Sequence, residues 1–347
     1  METKIPRSTS QSLKLFLIAV FFLVVTAMGL GYWKLKPQPA EELSVERSNK
    51  FVSKNPITPI PQETGVDVAK AALGEKLFND PQLSHNNKVS CASCHNLKAG
   101  GTDQLPRSVG INGREGNFNA PTVFNASYNF RQFWDGRAET LEEQIDGPTH
   151  SANEMGSNWA EIIGKLRQSP EYVAEFARLY PQGIQAQTIR DAIAIFERSL
   201  TTPNSRFDQY LQDNQSALSP AEKEGYQIFK SYGCISCHQG VNMGGNMYQK
   251  FGVMGDYFKD RGTITEADYG RYNVTQNEAD KFIFKVPSLR NIALTAPYFH
   301  DGSTAKLENA VAVMGRYQLG RELTPSEIDA LVKFLQTLTG EYKKPRL

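Results

Sequence analysis

The stretch CASCH, Cys91 to His95, recurs in nearly the same form as CISCH, Cys234 to His238, and together the two stretches contain all 4 cysteines of the chain. A C-x-x-C pair alone is compatible with zinc, redox or haem chemistry, whereas C-x-x-C-H is the spacing of covalent c-type haem attachment. Two thiols add to the two vinyl groups of one porphyrin, and the adjoining His is held beneath the iron as an axial ligand. The sequence therefore predicts two c-type haems, with His95 and His238 as their proximal ligands.

Zinc is the alternative for four cysteines, because two C-x-x-C pairs can form one tetrathiolate site. That assignment leaves both adjoining histidines without a role. It also leaves unexplained an apolar N-terminal stretch that is typical of an exported protein. Haem attachment accounts for all three features, so we predict haem.

A longer pattern surrounds each motif. GEKLF (74–78) precedes the first and GYQIF (225–229) precedes the second, and each motif is followed at a distance by a periodic segment, DAIAIFERSLT (191–201) or DALVKFLQTLT (329–339). Apolar residues at spacings of three and four indicate amphipathic helices. Glycine-, asparagine- and proline-rich stretches between them predict long loops. The pattern predicts a mostly α-helical fold with functional loops and one motif in each of two domains.

The helix over 329–339 carries signals at both ends. Thr324 suits the N-cap, Pro325 suits the first helical position, and Glu327 completes a capping box. Gly340 is predicted to stop the helix.

The N-terminal region contains 19 uncharged residues, Leu15 to Trp33, after Lys4, Arg7 and Lys14. This length spans a bilayer core, and the basic flank should stay cytoplasmic. A cleaved signal peptide has a shorter apolar region, so we favour an uncleaved anchor over a signal peptide or a buried core helix. The chain is then divided into an n-region 1–14, an anchor or signal segment 15–33, a linker 34–58, and haem domains 59–205 and 206–347. The haem domains are expected in the periplasm, tethered to the inner membrane.

Charge is nearly balanced, with 38 Lys and Arg against 37 Asp and Glu. No run of like charge exceeds that of an ordinary solvated surface. A nucleic-acid partner is therefore not expected.

Longer stretches of the sequence resemble bacterial dihaem cytochrome c peroxidases over about residues 60–341. They are KVSCASCHNLKAGGTDQLPRSVG, NAPTVFNASYNFRQFWDGRAETLEEQIDGP, NEM, CISCHQGVNMGG, VPSLRNIALTAPYFHDGS and AVAVMGRYQLG. The resemblance implies an all-α fold with two cytochrome c-like haem domains. It also implies an enzyme that reduces hydrogen peroxide to water with electrons from a small soluble cytochrome c or a cupredoxin. It also implies a homodimer, although no independent dimer signal is present in the sequence.

The resemblance assigns different roles to the two haems. Met314 matches the distal ligand of the second haem, and a Met thioether favours ferrous iron and raises the potential. Domain 206–347 would then accept electrons, and domain 59–205 would be peroxidatic. Without the resemblance, sequence spacing does not choose a sixth ligand among His85, His150, His300 and the seven methionines.

The resemblance also assigns residues near the first haem and between the haems. Glu154 matches a residue that moves the peroxide proton, a task suited to a carboxylate near the iron. Gln144 would orient peroxide, and Trp134 would lie between the haems, on the electron path or as a packing residue. A calcium ion is implied between the domains, held by Asn119 and the backbone carbonyls of Thr295 and Pro297; oxygen donors suit this cation.

The chain departs from the family pattern at Ile111, which stands where several members carry a displaceable distal His. Because Ile cannot ligate iron, we expect the first haem to be open even when both irons are ferric. His150, four residues before Glu154, is the competing ligand there.

Three other functions fit parts of the same pattern. A dihaem electron-transfer cytochrome would need strong ligands on both irons. A dihaem oxidase that modifies a partner protein carries Tyr where this chain has Met314. A peroxide sensor would use the same open haem, but no output domain is evident.

Overall fold

A computed structural model describes residues 55–344. The predicted n-region 1–14, the segment 15–33 and the linker up to residue 54 lie outside the described residues. Across the described part of the chain helices dominate, and the named strands form one antiparallel ribbon in which β1 Tyr248–Lys250 pairs with β2 Ile283–Lys285. The all-α prediction is confirmed for this part. None of the helices within residues 55–344 has the length and hydropathy to cross a bilayer.

The first haem motif lies among seven helices. They are α1 Val68–Phe78, α2 Cys91–Cys94, α3 Leu141–Gln144, α4 Asp146–His150, α5 Trp159–Arg167, α6 Pro170–Leu179 and α7 Ala186–Ser199. Polar side chains start several of them; for example, Asp67 accepts a hydrogen bond from the backbone of Lys70 and caps α1. The predicted helix over 191–201 is α7, which begins five residues earlier.

The second motif lies among six further helices. They are α8 Arg206–Leu211, α9 Pro220–Ser231, α10 Tyr257–Arg261, α11 Tyr272–Thr275, α12 Leu307–Leu319 and α13 Pro325–Gln336. The predicted capping box of Thr324 and Glu327 is present, with Pro325 at the start of α13. The predicted stop at Gly340 is wrong, because α13 ends at Gln336. A Cβ on Gly340 would lie 1.8 Å from the carbonyl oxygen of Thr202, so this glycine permits a close chain crossing.

The duplicated sequence pattern corresponds to two equivalent helix crossings. A Cβ on Gly74 of α1 would lie 1.9 Å from the carbonyl oxygen of Ala192 in α7. A Cβ on Gly225 of α9 would lie 1.9 Å from the carbonyl oxygen of Ala330 in α13. The aromatic pairs repeat as well, because Phe78–Phe196 and Phe229–Phe334 each have ring centroids 5.2 Å apart. The glycines in GEKLF and GYQIF therefore bring each helix pair together.

The junction near residues 201–207 is buried. Thr202 receives hydrogen bonds on its Oγ1 from the side-chain amides of Asn125 and Asn291, at 2.8 and 2.9 Å. Both asparagines have a φ of 61°, in the left-handed region that Asn tolerates better than most residues. Their backbone N–H groups bond to the carbonyls of Leu200 and Leu338, the residues that follow the two long helices. The two halves therefore meet through two equivalent turns, one at each asparagine. The domain boundary between residues 205 and 206 stays a prediction.

The two ends of the described chain cross over. Ile57 is 1% exposed and packs in the core with Phe207 and Phe334 of the C-terminal half. At the other end, the ring of Tyr342 lies 5.4 Å from that of Phe124, and Lys344 pairs with Glu75 at 2.7 Å. Each end thus packs on the half that contains the opposite haem motif.

Candidate dihaem site

The first motif is held by a short capped helix. The Ser90 and Ser93 side chains form a capping box that starts α2 at Cys91. His95, directly after α2, has its Nδ1 3.3 Å from the carbonyl oxygen of Gly101. Burial lowers the pKa of His95, which keeps the ring neutral. With Nδ1–H donated to a carbonyl, the Nε2 lone pair is available to iron.

The second motif faces a cavity of about 410 Å³ whose lining includes Cys234, Cys237, His238 and Met314. The Nδ1 atom of His238 lies 3.2 Å from the carbonyl oxygen of Met243, as in the first motif. Burial lowers the pKa of His238 to about 4, so this imidazole is also neutral. Met314 projects from α12, so all four residues predicted to hold the second haem line one space.

The four cysteines form no disulfides, and the zinc alternative fails on their placement. Within residues 55–344, the group of His, Cys, Asp and Glu side chains that converges closely enough for a metal ion is Asp268, His300 and Asp301. The two C-x-x-C pairs therefore do not form a tetrathiolate site. Each pair instead lies beside its own histidine, as c-type haem attachment requires.

The predicted bridge and calcium residues lie at the same cavity. Its lining includes Trp134, Asn119, Thr295 and Pro297. Trp134 donates its indole Nε1–H to the carbonyl oxygen of Asn119 at 2.9 Å, which fixes the ring between the two halves. The Asn119 side chain donates its Nδ2 to the carbonyl oxygen of Leu105 at 2.9 Å. Its Oδ1 is directed away from that bond.

Ile111 and Glu154 are neighbours near the first motif. The backbone N–H of Ile111 donates to the carbonyl oxygen of Glu154 at 2.8 Å, and a Cβ on Gly110 would lie 2.1 Å from the carbonyl oxygen of Asn153. Burial raises the pKa of Glu154, while Arg137 and a hydrogen bond with Ser151 oppose the shift. The pKa of Cys94 is raised to about 11, first by burial and also by the negative charges of Asp103 and Glu154. The Glu154 carboxyl group therefore lies close to the haem-binding thiol.

Gln144 is the last residue of α3, and only α4 and a short turn separate it from Glu154. It is partly buried. Its assignment to the peroxide pocket remains a prediction.

The three spare histidines have other surroundings. His85 is on the surface, 3.1 Å from a carboxylate oxygen of Glu161. His300 is 2% exposed and is bonded through Nε2 to Asp268 at 2.6 Å. His150 is exposed and packs edge-on against Trp159, with ring centroids 6.1 Å apart. His85 and His300 are thus paired with carboxylates, and His150 lies at the surface.

Three charged residues were missed by the sequence reasoning. Arg137 lies beside Glu154 and stacks on Phe133, with its guanidinium carbon 3.4 Å from the ring centroid. Glu197 is buried near Cys91, and Lys285 is buried in the lining of the second cavity. The only sequence signal was a charged residue within an apolar run, IAIFERSL for Glu197 and FIFKVP for Lys285.

Comparison with known proteins places the chain in a family. Residues 68–216 match the family model described as di-haem cytochrome c peroxidase, and residues 222–339 match the cytochrome c model. The chain is 48% identical to cytochrome c551 peroxidase of Nitrosomonas europaea, over 84% of this chain and 86% of that protein. The chain belongs to the di-haem cytochrome c peroxidase family. The resemblance seen in the sequence is confirmed.

Two further matches agree with this peroxidase family. Cytochrome c peroxidase Ccp of Escherichia coli is 48% identical over 83% of the chain, which spans only 62% of that longer protein. A solved structure of a MauG-like protein associated with microbial copper homeostasis has a TM-score of 0.72 and 30% identity, over 84% of this chain and 96% of that one. The fold is therefore that of two cytochrome c-like domains. The paired thiols and neutral histidines described above fit one c-type haem in each.

Proposed function

We propose that this peroxidase takes electrons from a small soluble cytochrome c or cupredoxin at the haem held by His238 and Met314, and reduces hydrogen peroxide at the haem held by His95. The observation that supports this direction is the asymmetry of the two sites. Met314 lines the second cavity together with the cysteine motif, whereas Ile111 is bonded to Glu154 near the first motif. A thioether ligand favours reduced iron, and a side chain without a donor atom leaves a position for an oxidant.

The haem groups supply the one-electron redox chemistry and the iron site at which peroxide is reduced. The chain's own residues manage the protons, since one peroxide, two electrons and two protons give two waters. Glu154 is proposed to accept a proton from one peroxide oxygen and return it to the other. Its raised pKa suits both steps, because a carboxyl group that titrates nearer neutrality can donate as well as accept.

Arg137 and Gln144 are proposed to assist Glu154. The Arg137 side chain is fixed by its bond to Asp135 at 2.9 Å and by stacking on Phe133. Its positive charge limits the rise in the Glu154 pKa. Gln144 would orient peroxide by donating from its amide.

Trp134 is proposed as the electron path between the haems. Its ring lines the second cavity, although Trp134 and its hydrogen-bond partner Asn119 both belong to domain 59–205. A Trp134→Phe variant keeps an aromatic ring but loses the bond. We expect slower reduction of the first haem from the second in stopped-flow traces, with both haems still attached.

Calcium is proposed to bind at Asn119 Oδ1 and the carbonyl oxygens of Thr295 and Pro297. All three residues line the same cavity, and the bond from Asn119 Nδ2 to Leu105 turns its Oδ1 away from that carbonyl. Oxygen donors with water completing the shell suit this cation. Metal analysis before and after chelation tests the assignment, and an Asn119→Leu variant should lose the ion.

The cellular setting is also a proposal. The apolar segment 15–33 would place the haem domains in the periplasm, attached to the inner membrane, and the enzyme would act as a homodimer. Mass spectrometry of the mature protein tests whether the segment is retained and counts the haems. Sedimentation at several concentrations tests the dimer.

Steady-state peroxide consumption with a reduced cytochrome c donor tests the activity itself. We expect turnover that depends on both haems and on donor concentration. Absence of turnover with intact haems would favour the electron-transfer cytochrome. Met314 stands against the partner-oxidase alternative, because that enzyme has a tyrosine there.

A further inference from the structure

Lys285 occupies an unusual position at the end of β2. Its side chain is buried, with 7% of the residue exposed, and it forms part of the cavity lining that also contains His238 and Met314. Its backbone N–H donates to the carbonyl oxygen of Trp134 at 2.8 Å. The residue therefore connects the proposed electron path with the wall of the second cavity.

The ammonium group of Lys285 has no counter-charge among the described residues. Neither an ion pair nor a side-chain hydrogen bond joins its Nζ to any residue within 55–344, and burial alone lowers its pKa, to about 8. An unpaired cation in a protein interior costs several kcal/mol, even after local relaxation. A buried lysine facing a cavity is therefore expected to be neutralised by what fills that cavity.

Two other cations of the chain show the usual solution. Arg290 is 0% exposed in its side chain and pairs with Asp208 at 2.7 Å, and the partly buried Arg261 pairs with buried Asp268 at 2.6 Å. In both cases the protein supplies the carboxylate. At Lys285 it does not, although only 7% of that residue is exposed.

We propose that Lys285 binds a propionate carboxylate of the haem in the C-terminal domain and is a positioning residue for that haem. The inference rests on the proposed function only in taking this cavity as the site of the second haem. Propionates are the carboxylates that a haem carries, and they extend from the edge opposite the two thioether bonds. Lys285 and Trp134 line the same cavity. By binding a propionate, Lys285 therefore fixes the propionate edge of the haem relative to the proposed electron path.

The charge of Lys285 also affects the redox equilibrium. A cation near the porphyrin opposes the extra positive charge of ferric iron and so favours the ferrous state. The low dielectric of the cavity strengthens this effect. Lys285 thus acts in the same direction as Met314, by raising the potential of the electron-accepting haem.

The test is a Lys285→Met variant of the complete dihaem protein, which keeps the side-chain length and removes the charge. We expect the ferric-to-ferrous equilibrium of the second haem to shift about tenfold toward ferric, equal to about 59 mV for one electron. The propionate bending modes in the resonance Raman spectrum should shift as well, which a packing role would not produce. Lys285→Arg should restore most of both signals.

Lys259→Met is the matched control, because it removes the same charge from an exposed position on α10. It should leave the potential and the propionate modes unchanged. An unchanged potential and unshifted modes in Lys285→Met would overturn the proposal. If that variant fails to retain two haems, Lys285→Gln and Lys285→Arg decide between the outcomes through the same two signals. Peroxide turnover of the unaltered protein is a separate measurement. If the unaltered protein is inactive but Lys285→Met shifts the potential of the second haem, the proposed activity is rejected and the role of Lys285 stands.

Discussion

Ile111 donates its backbone N–H to the carbonyl oxygen of Glu154 at 2.8 Å, although 43 residues separate them in the sequence. The residue predicted to stand where several family members carry a distal histidine is therefore joined to the proposed proton-transfer residue. A Cβ on Gly156 would lie 2.3 Å from Ile111 Cδ1, so the isoleucine side chain packs tightly against the same loop. The loop is thereby fixed with an apolar side chain at this position.

Ile111→His should introduce a ligand for the first haem. We expect the oxidised variant to show a low-spin signal in place of the high-spin signal of the unaltered protein, and to need prior reduction before it reacts with peroxide. Electron paramagnetic resonance followed by peroxide addition checks this. Ile111→Val is the control and should remain high-spin. Two low-spin haems in the unaltered oxidised protein would contradict the open-site proposal.

Glu154→Gln should lower kcat by about 10²- to 10⁴-fold, the usual contribution of a positioned acid or base. Burial raises the pKa of Glu154. When the pH is lowered, the activity of the unaltered enzyme should therefore begin to fall at a pH above the ordinary carboxyl range. This acid limb should vanish in the variant. Glu224→Gln, at an exposed position on α9, is the control. A kcat within twofold of the unaltered enzyme would exclude Glu154 from proton transfer.

Met314→Gln should lower the potential of the second haem, because an amide oxygen favours ferrous iron less than a thioether does. Electron uptake from the donor should slow accordingly, while peroxide binding to the first haem stays intact. Spectroelectrochemical titration measures the change. Met254→Leu removes a sulfur from a residue that is 63% exposed and should have no effect. An unchanged potential in Met314→Gln would show that another residue ligates this iron.

Gly225→Ala should destabilise the C-terminal half, because the added Cβ would lie 1.9 Å from the Ala330 carbonyl oxygen. The added methyl group would have to push α9 away from α13. Overpacking of this kind lowers the free energy of unfolding by about 1–3 kcal/mol or more. Denaturant unfolding measures the loss. Gly164→Ala is the matched control, since nothing lies within 4 Å of a Cβ at that helical position. It should stabilise the protein by up to about 1 kcal/mol through helix propensity.

Glu197→Gln should change the pH dependence of stability. Burial raises the pKa of Glu197 to about 8, above the ordinary value of 4.5, with the Arg198 charge opposing and the Glu142 charge adding to the rise. The native state therefore holds this proton more tightly than the unfolded state, so the free energy of unfolding falls as pH rises from about 4.5 to 8. Glutamine removes that cost, by roughly 4 to 5 kcal/mol at pH 8, and leaves stability near pH 4 little changed. Chemical unfolding of the variant and of the unaltered protein at pH 4 and pH 8 measures this effect. An equal difference in the free energy of unfolding at the two pH values would contradict the predicted pH dependence.

Much of this arrangement was readable from local sequence. The C-x-x-C-H spacing is a covalent requirement, and the capping box at Thr324 and Glu327 is a local hydrogen-bond pattern, so both were predicted correctly. The prediction for Gly340 was wrong because a glycine is expected both where a helix stops and where two distant segments of the chain come into close contact. The environments of Lys285 and Glu197 depend on residues far away in sequence, and no local rule identifies a charged side chain as buried.

The exchange of chain ends between the two halves has a further consequence. Residues near Ile57 complete the core that contains the second motif, and residues near Tyr342 complete the core around the first. A protease cut at the junction would thus produce two fragments, each lacking a segment that belongs to its interior. Heat or denaturant should accordingly melt both haem environments in a single cooperative transition.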